Sequence, residues 1–207
     1  MLTRDLLAFV RTALPGPPSR TLEIGAGRGE LASALIGAGY DVIAIDPAAE
    51  AESQVQRCSL LQVSGQFDAA VAVVALHHVN PLEESCAHLA TLIAPGGPLV
   101  IDEIDIDRYD QRATGWWQGQ RQALGFSEEQ DPVRLLEHLR DHIHRLSSIH
   151  AALRPYFELG EPVRGPYLHR WELRASLREA EVDLIAAGRL PAVGCRQIAT
   201  RRSDGDG

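Results

Sequence analysis

Leu22-Glu23-Ile24-Gly25-Ala26-Gly27-Arg28-Gly29-Glu30 is the stretch whose reading decides the fold. Before it, Arg20 to Ile24 reads as a short buried strand. After it, Arg28 to Ile36 reads as a helix with Leu31, Leu35 and Ile36 on one face, closed by Gly37 and Gly39. Outward from this unit the two periods keep alternating. Val42-Ile43-Ala44-Ile45 is a second buried strand ending at Asp46, and Ala48 to Arg57 reads as a weak helix. Phe67 to Leu76 is a long apolar strand and Pro81 to Ile93 a helix, after which Pro95-Gly96-Gly97-Pro98 turns the chain into Leu99-Val100-Ile101. Thr3 to Leu14 leaves room for one helix ahead of it all. Continuous apolar strands alternating with helices of about ten residues imply a parallel sheet covered on both faces, a doubly wound α/β fold. One link is open. Between a possible strand at Cys58 to Leu61 and the strand from Phe67 there are five residues, where a helical crossover needs about a dozen. Either that strand is vestigial or an extended loop replaces the helix.

Composition narrows the function. The 207 residues match one domain of about 150 residues with its elaborations. The longest apolar run, Ala69 to Leu76, is eight residues, against about 18 for a membrane span. Leu6 to Val10, between Asp5 and Arg11, is too short and wrongly flanked for a secretory signal. A net charge of −8 argues against nucleic acid as partner. A cytoplasmic location is expected. All 20 basic residues are Arg, which removes lysine Schiff-base chemistry. Cys58, Cys86 and Cys195 are too few and scattered for a metal knuckle or disulfide framework and read as small buried hydrophobes.

The glycine turn has a chemistry. Glycines at 25 and 27 let the backbone turn tightly and approach a ligand with no Cβ in the way, and the following helix presents its N–H groups to that ligand. Asp46, nineteen residues past Gly27, stands where doubly wound folds place a carboxylate on both ribose hydroxyls. A nucleoside-bearing cofactor follows. A dinucleotide fingerprint needs Gly-x-Gly-x-x-Gly, but the sixth position from Gly25 is Glu30. Glu23, just ahead of the turn, would repel a pyrophosphate and suits a cationic ligand with an amino-acid end. With Phe67-Asp68-Ala69-Ala70-Val71, Leu76-His77-His78-Val79 and Leu92-Ile93-Ala94-Pro95-Gly96-Gly97 in order and spacing, the stretch from Thr21 to Glu103 resembles the class I, Rossmann-like S-adenosylmethionine-dependent methyltransferases. Asp102-Glu103, Trp116-Trp117, Pro166-Tyr167-Leu168 and Leu184-Ile185-Ala186-Ala187-Gly188 look like a group of small bacterial members.

That resemblance implies a mostly parallel seven-stranded sheet with helices on both faces and a helical insertion after the fifth strand. It implies S-adenosylmethionine as cofactor, held by Glu23, Gly25, Ala26, Gly27, Asp46, Pro47, Ser59, Leu60, Ala75 and Leu76. Ser59-Leu60 is the best match for the adenine edge, although the short link there lacks the family's usual acid. The loop at Ala75 to His78 would border the reacting methyl group.

Beyond Ile104 the chain changes character. Eight of eleven aromatics lie there, and Asp105 to Arg154 stands where one crossover helix would suffice. This segment is expected to form most of a substrate lid. Within it Asp131 to Leu146 reads as one amphipathic helix with Leu135, Leu136, Leu139, Ile143 and Leu146 in a stripe. Trp171 to Ala187 reads as another helix, Val193 to Thr200 as a closing strand, and Ser203 to Gly207 as a disordered tail. Substrate contacts are expected from His78, Tyr109, Trp116, Trp117 and Tyr167. Neighbours on a helix lie about 100° apart, so one of Trp116 and Trp117 is core and the other free to line the pocket. As general base, His77 and Glu103 are the candidates; packing is the plainer reading of His77, and Glu103 alternatively anchors an amine substrate. His138 and His142 have the spacing of two metal ligands but no third partner, so no metal is expected. The expected activity is methyl transfer to an oxygen, nitrogen or carbon of a small molecule. The alternatives are an S-adenosylmethionine-binding protein without transfer and an NAD-dependent oxidoreductase, which Glu23 and Glu30 disfavour.

Overall fold

The computed structural model describes residues 2–126, 131–171 and 173–203. One sheet holds seven strands: β1 (Arg20–Ile24), β2 (Asp41–Ile45), β3 (Ala69–Val73), β4 (Pro98–Ile104), β5 (Phe157–Leu159), β6 (Val163–Gly165) and β7 (Gly194–Arg201). Their order is β2-β1-β3-β4-β7-β5, with β6 also on β7. The first four pair in parallel, β7 runs antiparallel to β4, and β5 and β6 run antiparallel to β7. Only β7 therefore opposes the common direction. The expected doubly wound, mostly parallel sheet is present.

The pleat sorts side chains between two layers. Leu22, Ala70 and Leu99 stand in one row and Ile24, Ala72 and Ile101 in another. Both rows pack under α3 (Leu82–Leu92) and α6 (Leu146–Leu153), where Leu89, Ile149 and Leu153 are fully buried. The intervening row of Val71 and Val100 faces α1 (Arg4–Ala13) and α2 (Glu30–Gly37) through Leu6, Val10, Leu31 and Leu35. Glu23 stands beside Val71, and Asp102 beside Val73 and Arg196. These polar groups thus belong to the α1/α2 layer. Glu103, one residue on, belongs to the other.

Several elements differ from the sequence reading. No helix forms over 48–57, where the Ser53 hydroxyl exchanges hydrogen bonds with the Val55 backbone at 3.1 and 3.2 Å and so competes with helical pairing. No strand forms at 58–61. Gln56 alone meets the sheet edge, donating to Ala44 O at 2.8 Å and accepting from Asp46 N at 3.0 Å, before a 3-10 turn at Leu60–Gln62 buries Leu60. The missing crossover is thus a loop beside a one-residue bridge. The strand expected over 67–76 ends at Val73 because Val74 turns into the left-handed region at φ 55°.

The segment from Asp105 to Arg154 is divided. Its first part carries α4 (Gln111–Ala123) and α5 (Pro132–His142). Its last part, α6, is the ordinary crossover helix against α3, not lid. The single helix expected over 131–146 breaks at 143–145, where His144 N donates to His77 O at 2.9 Å. Of its proposed stripe, Leu139 and Ile143 pack with Tyr109 and Tyr167, whereas the Leu135 and Leu136 side chains lie outside the described residues. The helix expected from Trp171 starts only at α7 (Arg178–Ala186), after a 3-10 turn at Ala175–Leu177. β5 and β6 were not foreseen. They are halves of one edge strand interrupted at Gly160, whose N–H donates to Ile198 O at 2.9 Å and whose Cβ, if present, would meet that oxygen at 2.8 Å. Of the expected tail, 204–207 lies outside the described residues.

Trp117 is the buried member of the tryptophan pair, 2% exposed. It stacks on Trp171 at 4.6 Å between centroids and donates its indole N–H to Trp171 O at 2.8 Å. Trp116 is half-buried at the edge of the same cluster. Chemical denaturation is expected to show Trp117→Ala losing about 3–5 kcal/mol of stability and Trp116→Ala distinctly less; equal losses would contradict this packing.

Candidate functional site

A cleft of about 490 Å³ opens at the carboxyl edge of β1 and β3. The glycine turn forms its floor: Gly25, Gly27 and Gly29 have φ of +68°, +54° and +74°, a region closed to most side chains. Each glycine has its own reason. A Cβ on Gly25 would lie 2.5 Å from Ala75 Cβ, so this turn presses against the end of β3. A Cβ on Gly27 would meet nothing within 4 Å, because that side faces open space. Gly29 caps α2, and its Cβ would meet Val55 at 3.0 Å.

Asp46, after β2, braces the turn. Its Oδ2 accepts from Gly27 N at 2.9 Å and its Oδ1 from Ala48 N at 2.8 Å. Each carboxylate oxygen keeps a second acceptor position. Pro47 beside it is exposed. Ser59 is half-buried, its N–H and hydroxyl both donating to Gln62 Oε1, and Leu60 is part of the core.

Glu23 lies in the cleft 4% exposed, and its Oε2 has no hydrogen-bond partner. Burial pushes its carboxyl up to about 7, with only the Ala32 N–H opposing. A buried carboxylate with an unused oxygen favours a cation. The opposite wall carries Val73, Val74, Tyr167, Arg170 and Trp171. Val74, β-branched at φ 55°, is strained by about 1–3 kcal/mol, and its N–H is held on Asp102 O at 2.7 Å.

The structure separates the other expected site residues from this wall. Glu103 is fully buried; its Oε1 accepts from Ala75 N at 2.9 Å and Leu76 N at 2.7 Å, and its Oε2 lies 2.6 Å from His77 Nδ1. His77 is 5% exposed, and neither it nor Glu103 lines the cleft. The pair is placed as a brace for the turn, not as a free base or an amine anchor. His78 lies beside His77 at 4.1 Å between centroids with the rings tilted by 49°; burial holds its imidazole below the usual value. Tyr109, Trp116 and Trp117 stand behind the wall: Trp171, packed on Tyr109 and Trp117, faces the cleft together with Tyr167. Of the aromatics proposed to touch substrate, only Tyr167 lines it. Val74, Arg170 and Trp171 were missed. The Val74 conformation leaves no compositional trace, but Arg170 follows directly on the Tyr167-Leu168 pair that the sequence singled out.

Burial pushes the Cys86 thiol to about 12 and that of Cys195 to about 11, in keeping with inert hydrophobes. No group of three or more metal-ligating side chains occurs among the described residues. A larger hollow of about 550 Å³ lies at the opposite edge of the sheet among prolines and glycines. Its one acid, Asp68, already accepts from Arg20 N at 2.7 Å.

A family model for a methyltransferase domain matches residues 2–130, more than half of the chain. The chain belongs to that family. An uncharacterized methyltransferase of Mycobacterium tuberculosis strain H37Rv is 31% identical over 134 residues, covering 58% of this chain and 52% of the relative. The chain thus spans about half the length of the curated relatives it matches. Among solved structures, the 1,6-didemethyltoxoflavin-N1-methyltransferase of Burkholderia thailandensis, with bound 1,6-didemethyltoxoflavin and S-adenosylhomocysteine, is similar in fold. Its TM-score is 0.59 at 18% identity, over 97% of this chain and 78% of that one. The N-methyltransferase NodS of Bradyrhizobium japonicum, in complex with S-adenosylhomocysteine, gives 0.57 at 16% identity over 97% and 87%.

S-adenosylmethionine is the cofactor of a methyltransferase of this kind, and the residues of the cleft fit it. The unused oxygen of Glu23 matches an ammonium end, and the open side of Gly27 leaves room for a ligand. The folded Glu23 value lies above its ordinary 4.5, so its contribution to stability is present in full below about pH 4.5 and is lost as pH rises through about 7. Melting curves are expected to show Glu23→Gln gaining on the unaltered protein across that window. Affinity for S-adenosylhomocysteine should rise from pH 5 to 7 as Glu23 ionises, and the variant should lack that rise. A pH-independent difference would contradict the assignment.

Proposed function

We propose that this methyltransferase-family chain moves the methyl group of S-adenosylmethionine to an oxygen, nitrogen or carbon of a small molecule. The observation that carries the reading is Glu23: a buried carboxylate with one oxygen unused, in a cleft floored by glycines. When bound, the cofactor supplies a methyl group on a sulfonium. Glu23 would hold its ammonium end, Gly25, Ala26 and Gly27 would line its path, and Asp46 with Pro47 would receive the ribose. Ser59 and Leu60 would border the adenine. Ala75 and Leu76 have their N–H groups committed to Glu103, so their part would be shape.

Among the described residues lining the cleft, Glu23 is committed to the cofactor, Glu30 takes Leu2 N at 3.0 Å, and the Tyr167 hydroxyl is raised by burial. Transfer would therefore rest on alignment of the reactants and exclusion of water rather than on a base. Val74, Tyr167 and Trp171 would form that wall, with Tyr109, Trp116 and Trp117 as its support. His77 and Glu103 are positioning residues in this scheme, with His78 beside them. The net charge of −8 supports a small molecule over nucleic acid. No described helix is long and apolar enough to cross a membrane, and we place the protein in the cytoplasm.

Labelled S-adenosylmethionine with a small-molecule extract tests transfer directly; label retained wholly on the cofactor would favour binding without transfer. Asp46→Ala is expected to weaken S-adenosylhomocysteine at least tenfold in calorimetry, since charge-assisted hydrogen bonds of about 1.5–3 kcal/mol would be lost along with the tie to Gly27. Gly27→Val should be worse, its side chain entering the open space. Unchanged affinity in Asp46→Ala would sink the ribose assignment.

A further inference from the structure

Beside the cleft lies a second, more enclosed pocket of about 210 Å³. Its walls carry Arg164, Arg170, Arg178, Arg196, His169 and Asp102. Arg170 lines both hollows. Asp102, 2% exposed, sits between two guanidiniums, 2.6 Å from Arg170 and 2.9 Å from Arg196. Arg164 pairs with Asp105 at 2.5 Å and Arg178 with Asp5. Four guanidiniums thus meet three carboxylates, while a fourth carboxylate, Glu181, is turned to His169. A guanidinium has five N–H donors, more than these partners use.

The pocket is held rigid by a device that repeats the one at Glu103. Glu181, fully buried, takes Tyr167 N and Leu168 N on Oε1 at 2.7 and 2.9 Å. Its Oε2 takes His169 N at 2.9 Å and lies 2.8 Å from His169 Nδ1. Burial alone would raise the Glu181 carboxyl, but the His169 side chain and the three backbone N–H groups together hold it below its ordinary value. His169 is 2% exposed, and its Nε2 has no partner within the protein.

We propose that this pocket binds an oxyanion, and that the oxyanion is the carboxylate or phosphate end of the methyl acceptor. The second half of the proposal rests on the methyltransferase reading. Two observations carry it: guanidinium side chains gathered on one small hollow, and Arg170 standing between this hollow and the cleft. An acceptor anchored here would extend past Arg170 toward Glu23 and Val74.

The test titrates the protein's tryptophan fluorescence with inorganic phosphate and with benzoate at constant ionic strength, chloride being the reference. Saturable binding of one or both is expected, weakened at least fivefold in Arg178→Gln and in Arg196→Gln. Arg178 pairs at the surface, so its variant keeps the test valid even where Arg196→Gln fails to fold. Tighter phosphate assigns a phosphate ester, and tighter benzoate a carboxylate. Affinity for S-adenosylhomocysteine should stay within twofold in both variants. No saturation beyond chloride, or anion affinity that both variants leave unchanged, overturns the proposal. A parallel loss of S-adenosylhomocysteine affinity overturns it too, because the arginines would then hold the cofactor. Failure of the unaltered protein to bind S-adenosylhomocysteine contradicts the methyltransferase reading instead, and removes the acceptor role while the anion titration still decides the pocket.

Discussion

The carboxylate of Glu103 fixes the working edge of this molecule. It is buried, and it takes the N–H groups of Ala75 and Leu76 and stands against His77. Those N–H groups leave the sheet where β3 ends and would otherwise be orphaned in the interior, at about 1–3 kcal/mol each. With them tied, Ala75 lies against Gly25 so closely that no side chain fits there. The two loops that border the cleft are therefore set against each other. The strained Val74 is held between the same fixed points, and His144 continues the brace from His77 O to the link between α5 and α6. Glu181 does the same work for the turn at Tyr167–His169. The two carboxylates lie on different elements, yet each converts a 3-10 turn into a rigid wall.

The pleat of the sheet divides the chemistry. Glu23, Val73, Asp102 and Arg196 project into the layer of α1 and α2, and Glu103 projects into the layer of α3 and α6. Groups that are neighbours in sequence, such as Asp102 and Glu103, consequently do unlike things. Asp102 orders two arginines beside a hollow, while Glu103 orders a loop. The charges follow the same division: Glu23 gives the cleft an acid suited to a cation, and the arginines give the adjoining pocket the opposite character. One layer thus presents complementary charges to two ligands.

The sheet was legible in the sequence because its strands are continuous apolar runs and its first turn has glycines at 25, 27 and 29. The glycine floor of the cleft was legible for the same reason, since Glu23, Gly25, Gly27 and Asp46 sit at ends of strands that the period of two already locates. The 58–61 link could not be read, because one bridging residue, Gln56, carries no pattern. β5 and β6 were too short to show a period, and Gly160 interrupts them. The break between α5 and α6 depends on a hydrogen bond from His144 to a residue 67 positions away. Composition leaves His77 between a base and packing, and leaves open which of Trp116 and Trp117 is core; only the packing sets His77 on Glu103 and buries Trp117. Arg170 and Trp171 were missed because an isolated pair at a turn has no period at all.

A crystal structure with S-adenosylhomocysteine tests the central claim most directly. The account predicts the ligand in the cleft between Gly25–Gly27 and Val73–Val74, its ammonium within hydrogen-bond distance of Glu23 and its ribose at Asp46. Glu103 should remain on Ala75 and Leu76. Ligand bound elsewhere, or an ammonium facing away from Glu23, would contradict it.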